Sequence, residues 1–260
     1  MKIISPQNHW LRTVPIAHRG LHNTQLPENS IPSFIAAMDN GYAIEIDIHL
    51  CADGHIVVFH DADTLRMTGE EGAVSKLTLA EIKKMRLLSP RLGQAEKLSG
   101  QQSKSDFEIP ALAEVFDIIN GQVPLLIELK NHNKKVGALE ERLCKLLDGY
   151  TGEVAVQSFN PYSLEYIRRI RPHILRGQLS QNFKAEKMPF YKKFILGRFL
   201  LNRKSKPDFI SYRIEDFPNK KVSAFKTKGL PVLAWTIMTS QDLLKAKNYC
   251  DNVVFENIVP

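Results

Sequence analysis

Short aliphatic segments alternate with longer segments of helical periodicity along the chain, and this alternation constrains the fold more than any other feature. The aliphatic segments predict eight strands, at residues 13–18, 42–50, 124–129, 153–158, 174–178, 208–212, 230–235 and 252–256. The main helical segments lie between them, at residues 30–40, 111–120, 134–147, 161–170, 219–228 and 240–248. Repeated strand-helix alternation indicates parallel β-α units. Eight such units favour a closed (β/α)8 TIM barrel over an open doubly wound sheet.

The length of 260 residues suits one such barrel, which needs about 250. We therefore expect a single domain over residues 1–260, with an insertion at about 61–108 after the second strand. Just before the insertion, residues 52–55 predict a tight turn and residues 56–60 a further short strand. The insertion is expected to cover the mouth of the barrel without forming a core of its own.

Two features inside the insertion predict local structure. Thr78 and Glu81 have the spacing of a capping box, which predicts a short helix beginning there. Residues 89–105 are polar and contain glycine and serine, so they predict a mobile loop.

The cysteines and the apolar segments show which classes of protein the sequence argues against. Cys51, Cys144 and Cys250 are far apart and form no CxxC pair, which argues against a disulfide framework or a structural zinc site. They are expected to be core residues of a protein in a reducing, cytoplasmic compartment. No apolar run approaches the ~18 residues of a membrane span, and residues 1–12 lack the pattern of a signal peptide.

The whole positive excess of the chain lies in one segment, residues 182–206, which we call the basic segment. It contains eight basic residues and one acidic residue; removing them from the totals of 35 and 28 leaves 27 of each. So local an excess does not indicate a nucleic-acid-binding protein.

Two interpretations of the basic segment remain open. Its lysines and aromatic residues fit an interfacial segment that makes a weak contact with an anionic membrane surface. Alternatively, residues 190–201 form the fifth outer helix of the barrel, with aromatic side chains in the core and lysines in water.

Carboxylates lie on one side of the second predicted strand. Residues 44–48 alternate with period two, which places Glu45 and Asp47 on one face and three isoleucines on the other. Glu128 lies near the end of the next barrel strand. A single acid would be explained most simply as a salt-bridge partner. Three acids at adjacent strand ends favour one hard divalent cation, Mg²⁺ or Ca²⁺.

Two histidines end apolar runs where a barrel holds its catalytic groups. His18 ends the first predicted strand, and His60 ends the short strand after the second. Imidazole titrates near neutral pH, so such a pair suits general acid-base catalysis of phosphodiester cleavage. Arg19 and Lys130 would either contact a phosphate or balance the local acids.

The motifs together resemble the glycerophosphodiester phosphodiesterase family, part of a superfamily of phospholipase-C-like TIM-barrel enzymes. The resemblance rests on motifs in the same order and spacing: His18-Arg19-Gly20, Pro27-Glu28-Asn29-Ser30, Glu45-Ile46-Asp47, Asp53-Gly54, His60-Asp61, Leu65-Arg66-Met67-Thr68-Gly69, Ile109-Pro110-Ala111-Leu112, Ile127-Glu128-Leu129-Lys130, Gln157-Ser158-Phe159 and Trp235-Thr236. The match covers nearly the whole chain, and its stretch from His18 to Asp61 is the most specific part.

The resemblance implies metal-dependent hydrolysis of glycerophosphodiesters to glycerol 3-phosphate and an alcohol. It implies that His18 and His60 are the acid-base pair, and that Glu45, Asp47 and Glu128 hold the cation. Substrate contacts are then implied for three further residues, Arg19, Lys130 and Trp235.

Two departures from the family pattern bear on the leaving group. Met238 stands where asparagine is common, and Phe255-Glu256-Asn257 replaces a usual Thr-Asp pair. A lysophospholipase D acting on lysophospholipids stays open as an alternative, because the alkyl chain would lie in the loops that the sequence predicts least well. A non-catalytic barrel that binds a phosphorylated ligand is an alternative from a different class.

Overall fold

The strands of the chain form one sheet that closes on itself. A computed structural model describes residues 9–88, 105–131 and 135–260. Its strands are β1 Ile16–Ala17, β2 Ala43–Leu50, β3 Ile56–Val58, β4 Leu125–Leu129, β5 Val154–Ser158, β6 Leu175–Ser180, β7 Phe209–Arg213, β8 Val232–Ile237 and β9 Asn252–Phe255. Their order is β1-β9-β8-β7-β6-β5-β4-β2-β3, and β1 also pairs with β2. The fold is a (β/α)8 TIM barrel with one additional strand, β3, as the alternation predicts.

Helices lie between the strands at the predicted segments. They are α1 Trp10–Thr13, α2 Ile31–Asp39, α3 Leu65–Thr68, α4 Leu79–Ile82, α5 Leu112–Ile119, α6 Ala138–Leu147, α7 Pro161–Ile170, α8 Phe190–Gly197, α9 Asn202–Ser205, α10 Lys220–Thr227 and α11 Ser240–Tyr249. Short 3-10 helices span Val74–Lys76 and Ile214–Asp216. Among the described residues, no helix is long and apolar enough to cross a membrane.

The start of the chain departs from the prediction. The sequence predicts a first strand over residues 13–18, but β1 has only two residues. The preceding residues form α1, and the side chain of His9 caps this helix by accepting a hydrogen bond from the backbone N–H of Leu11 (3.2 Å). This cap favours the helical turn, which overlaps the predicted strand only at Thr13.

The turn, the short strand and the capping box after β2 are confirmed. Gly54 lies in the tight turn with a φ of 81°, and β3 pairs antiparallel with β2, with Val58 opposite Ile48. Thr78 and Glu81 form the reciprocal bonds of the capping box at α4. The predicted loop at residues 89–105 lies, apart from its last residue, outside the described residues.

The chain divides into two compact units. The first, called the Ala17–Lys130 unit, also includes Gly137–Glu153. The second, called the Val154–Pro260 unit, also includes Met1–Ile16 and Asn131–Val136. In the Ala17–Lys130 unit, apolar residues of the insertion pack on β3 and its neighbours: Val74, Ile82, Met85 and Leu87 lie with Cys51, Val57, Phe59 and Ile109 in one cluster. All three cysteines are buried, as predicted.

The basic segment forms α8 and α9, and its aromatic side chains divide into two groups. Phe183 and Phe199 are buried, whereas Phe190, Tyr191 and Phe194 are exposed. The interpretation of residues 190–201 as an outer helix with its aromatics in the core is therefore wrong for these three. The physical reason is that α8, Phe190–Gly197, has no buried residue, so its aromatic side chains lie outside the core.

Candidate active site

Three carboxylates meet where β2 pairs with β4. Glu45 and Asp47 lie on β2, Glu128 lies on β4, and the parallel register sets Asp47 directly beside Glu128. All three side chains are buried. One carboxylate oxygen from each lies within 4.8 Å of the others. The alternation of β2 and the pairing of two strands thus bring together the three acids that the sequence singled out.

Two cationic side chains contact this cluster. The Nζ atom of Lys130 lies 2.9 Å from both Asp47 Oδ1 and Glu128 Oε1. The Nε atom of Arg19 lies 3.3 Å from Asp47 Oδ2, and the backbone N–H of Arg19 donates to Glu45 Oε2 (3.2 Å). Burial opposes ionisation of Asp47, but the charges of Lys130 and Arg19 hold its pKa well below the ordinary value.

Glu45 and Glu128, unlike Asp47, have raised pKa values. Burial, together with the charges of Asp47 and Glu128, raises the pKa of Glu45 well above its ordinary value. Burial also raises the pKa of Glu128, against the attraction of Lys130. Buried carboxylates crowded within a few ångströms are costly unless a cation compensates them. The oxygen-only donor set fits a hard divalent cation such as Mg²⁺ or Ca²⁺.

His60 follows β3 and is oriented by its neighbour in the chain. The backbone N–H of Phe59 donates to the carbonyl of Asp47 (2.9 Å), which sets the end of β3 beside the carboxylates. His60 Nδ1 lies 2.6 Å from Asp61 Oδ1, and His49 Nε2 contacts the carbonyl of His60 (3.1 Å). With Asp61 ionised, Nδ1 of the neutral ring carries the proton, and Nε2 is the ring nitrogen without one. Burial lowers the pKa of His60.

His18 follows β1 and lies half-buried in the same unit. Burial raises the pKa of Asp47, whereas the charges of Lys130 and Arg19, and after them those of His60 and His18, lower it. The chain then turns sharply through Arg19 and Gly20, with φ angles of 56° and 81°. This turn explains why glycine follows the His-Arg pair.

An outer set of polar residues, to which the sequence assigned no catalytic role, holds the inner groups in place. Arg19 contacts Glu28 (2.8 Å), and Arg66 contacts both Glu28 (2.7 Å) and Asp61. Asn29, at a positive φ of 50°, donates from Nδ2 to Asp47 Oδ2 (2.9 Å). All these residues lie within the matched motifs. That placement was the available signal, but the motifs do not show which side chains pair.

Trp235 is the one predicted site residue that belongs to the Val154–Pro260 unit. It is half-buried on β8, and its ring lies edge-on to that of Phe159, with centroids 5.7 Å apart. Its buried indole N–H has no hydrogen-bond partner among the described residues. An unpaired buried donor is unusual and fits a position that a ligand completes.

The family model for glycerophosphoryl diester phosphodiesterases matches residues 18–256. The chain belongs to the glycerophosphoryl diester phosphodiesterase family. It is therefore a phosphoric diester hydrolase, and the alternative of a non-catalytic barrel does not hold. The matched range includes every candidate site residue described above.

Individual members of the family show how far the likeness extends. A glycerophosphodiester phosphodiesterase of Caldanaerobacter subterraneus subsp. tengcongensis is 34% identical over 237 residues, which cover 90% of this chain and 89% of the relative. A phosphodiesterase of Oleispira antarctica, solved in complex with the product sn-glycerol-3-phosphate, has a TM-score of 0.72 and 27% identity over 93% of this chain and 91% of its own. A human lysophospholipase D is 33% identical over 49% of this chain and 40% of its own.

Proposed function

We propose that the chain hydrolyses glycerophosphodiesters to sn-glycerol 3-phosphate and an alcohol, with one divalent cation and two histidines. The observation that carries this proposal is the buried group of Glu45, Asp47 and Glu128 beside His60. The product bound to the structural relative and the name of the bacterial relative support the substrate class.

In this proposal Glu45, Asp47 and Glu128 hold the cation, Mg²⁺ or Ca²⁺. When bound, it supplies a Lewis acid and a template for the oxygens of the phosphodiester. Asn29 and Arg19 orient Asp47 through the hydrogen bond and ion pair described above, in the manner of the outer contacts that orient metal ligands.

The charge count of the site supports a divalent ion. The connected network has five carboxylates, those of Glu28, Glu45, Asp47, Asp61 and Glu128, and three cations, those of Arg19, Arg66 and Lys130. With all five carboxylates ionised and the histidines neutral, two negative charges are in excess, and burial together with this crowding raises the pKa of Glu45 until a cation offsets the excess. A divalent cation cancels that excess, and one protonated histidine then balances the single charge of a phosphodiester.

His18 and His60 act as the general base and the general acid in the proposed reaction. One histidine takes the proton of the substrate's neighbouring hydroxyl, whose oxygen attacks phosphorus and closes a cyclic phosphate. The other gives a proton to the departing alcohol oxygen as the phosphorus–oxygen bond breaks. Water then opens the ring with the two roles reversed. Arg19 and Lys130 contact the phosphate oxygens, and Trp235 contacts the substrate.

Removal of the cation tests this proposal directly. After exhaustive chelation we expect the release of glycerol 3-phosphate from glycerophosphocholine to stop, because the three acids are then uncompensated. Addition of Mg²⁺ and Ca²⁺ in separate samples restores turnover and identifies the working ion. Turnover that survives chelation unchanged contradicts the assignment of a metal.

A second candidate function, cleavage of lysophospholipids, is favoured by an apolar cavity. Within the Val154–Pro260 unit, a cavity of about 660 Å³ is lined by Phe159, Phe183, Ile195, Leu196 and Leu201, among others. Phe159 also contacts Trp235 through its ring. A lysophospholipid differs from a glycerophosphodiester by an alkyl chain, which needs such a space.

A substitution that fills the cavity separates the two substrate classes. Leu196→Trp is expected to lower kcat/KM for lysophosphatidylcholine about tenfold or more, since a methylene-scale misfit is worth about 1–3 kcal/mol. Turnover of glycerophosphocholine is expected to stay unchanged. The matched control is Leu244→Trp, at an exposed position of α11. An unchanged ratio of the two substrates for Leu196→Trp contradicts this role of the cavity.

A further inference from the structure

Exposed apolar side chains concentrate on α8 and the turn after it. Ten large hydrophobic residues are exposed in the part of the chain that the structure describes, and four of them lie within residues 190–200. They are Phe190, Tyr191, Phe194 and Leu200, exposed by 81%, 60%, 43% and 48%. Single exposed apolar residues are ordinary, but a group of this kind marks an interaction surface.

Phe190, Phe194 and Arg198 form a ridge along α8 and the residue after it. Phe190 and Phe194 are one helical turn apart, and their ring centroids lie 6.4 Å from each other. The guanidinium of Arg198, one turn further, lies 3.7 Å from the centre of the Phe194 ring. The ridge thus presents two aromatic rings and a cation in a row, held together by contacts along the helix.

The segment that carries the ridge is rich in exposed cations and contains one acid. Seven basic side chains of the basic segment are exposed: Lys184, Lys187, Lys192, Arg198, Arg203, Lys204 and Lys206. The one acid of the segment, Glu186, accepts a hydrogen bond from Gln181 (2.7 Å). The surface therefore combines exposed aromatic rings with an uncompensated positive charge.

We propose that this surface, residues 184–206, docks the protein on an anionic lipid bilayer. A protein partner would need acidic side chains at positions that match the cations. An anionic headgroup layer supplies negative charge everywhere along its surface, so no such match is needed. Lysine and arginine near such a surface are attracted to it, and aromatic side chains enter the boundary between headgroups and acyl chains. Docking is separate from the catalytic proposal and does not depend on it.

Sedimentation with vesicles tests the docking. We expect the wild-type protein to sediment with vesicles of phosphatidylcholine mixed with phosphatidylglycerol, but far less with pure phosphatidylcholine. Because the attraction is electrostatic, the bound fraction should fall as salt is raised. No binding to the anionic vesicles at low salt overturns the proposal.

Charge variants locate the surface. The triple substitution of Lys187→Gln, Lys192→Gln and Lys204→Gln is expected to weaken binding to anionic vesicles by about tenfold or more. The control triple, Lys76→Gln, Lys84→Gln and Lys145→Gln, removes the same charge from positions in the Ala17–Lys130 unit. Equal losses in the two triples mean that only net charge matters, which overturns the assignment to this surface.

Aromatic variants test the insertion of the ridge. The double substitution Phe190→Ser and Phe194→Ser should lower binding, whereas Leu244→Ser with Val259→Ser, at other exposed apolar positions, should not. A Phe190→Trp reporter should shift its emission to shorter wavelength on anionic vesicles only. Circular dichroism checks that each variant folds. Binding that survives loss of both phenylalanines overturns the proposal, and specific capture of a protein with no vesicle binding does so as well.

Discussion

His60 and Asp61 show how much of the chemistry depends on single neighbouring residues. Asp61 holds one nitrogen of the His60 ring, and Arg66 holds Asp61 in turn. The hydrogen bond from Arg66 lowers the pKa of Asp61 although burial opposes this. Asp61 therefore stays ionised near neutral pH, and the tautomer of His60 is set by a partner next to it in the chain.

The two histidines are predicted to be separable from metal binding. His18→Ala and His60→Ala should each lower kcat about 10²-fold or more, the usual scale for the loss of an acid or a base. Affinity for the cation, measured by calorimetry, should persist because neither histidine belongs to the carboxylate group. His173→Ala, at an exposed position, is the matched control. A kcat near that of the wild type for either variant shows that this histidine is structural.

At the scale of elements, the sharp turn after β1 depends on close packing against α2. A Cβ atom on Gly20 would overlap the side chain of Ser33 and approach its backbone to 2.9 Å, besides requiring a φ of 81°. Gly20→Ala should therefore lower the free energy of unfolding by about 2–4 kcal/mol. Gly229 has a similar φ of 85° with nothing nearby, so Gly229→Ala should cost only about 1–2 kcal/mol. Urea unfolding measures both, and equal losses contradict a role for the contact.

The elements also show why some of the site could be predicted from the sequence and some could not. Glu45 and Asp47 are found because strand periodicity is local, and the β2–β4 register then brings Glu128 to them. The contact between Arg66 and Glu28 joins residues 38 positions apart through side chains alone, and no periodicity encodes it. The exposure of Phe190 likewise depends on how α8 packs, which composition does not determine.

At the scale of the whole molecule, a bound cation should contribute to stability. Folding buries Glu45, Asp47 and Glu128 together, and only the folded chain assembles them into one site. A cation at 100 times its Kd should therefore add about 2.7 kcal/mol to the free energy of unfolding. Thermal unfolding with Mg²⁺, Ca²⁺ or a chelator measures this without reference to activity. Asp47→Asn should abolish the response, and Glu141→Gln, an exposed acid of α6, should keep it. No shift in Tm with either ion contradicts a site at these residues.

The division of roles along the chain has a consequence for how such enzymes diversify. The acids, the histidines and the two cations proposed to contact the phosphate all come from one continuous stretch, His18 to Lys130, whereas the apolar cavity and the basic surface come from residues 159–206. Mutations that accumulate in the later stretch leave the groups proposed to carry out bond cleavage untouched. Proteins that descend from one ancestral gene can therefore change their substrate or their attachment to a membrane while they keep the same catalytic residues.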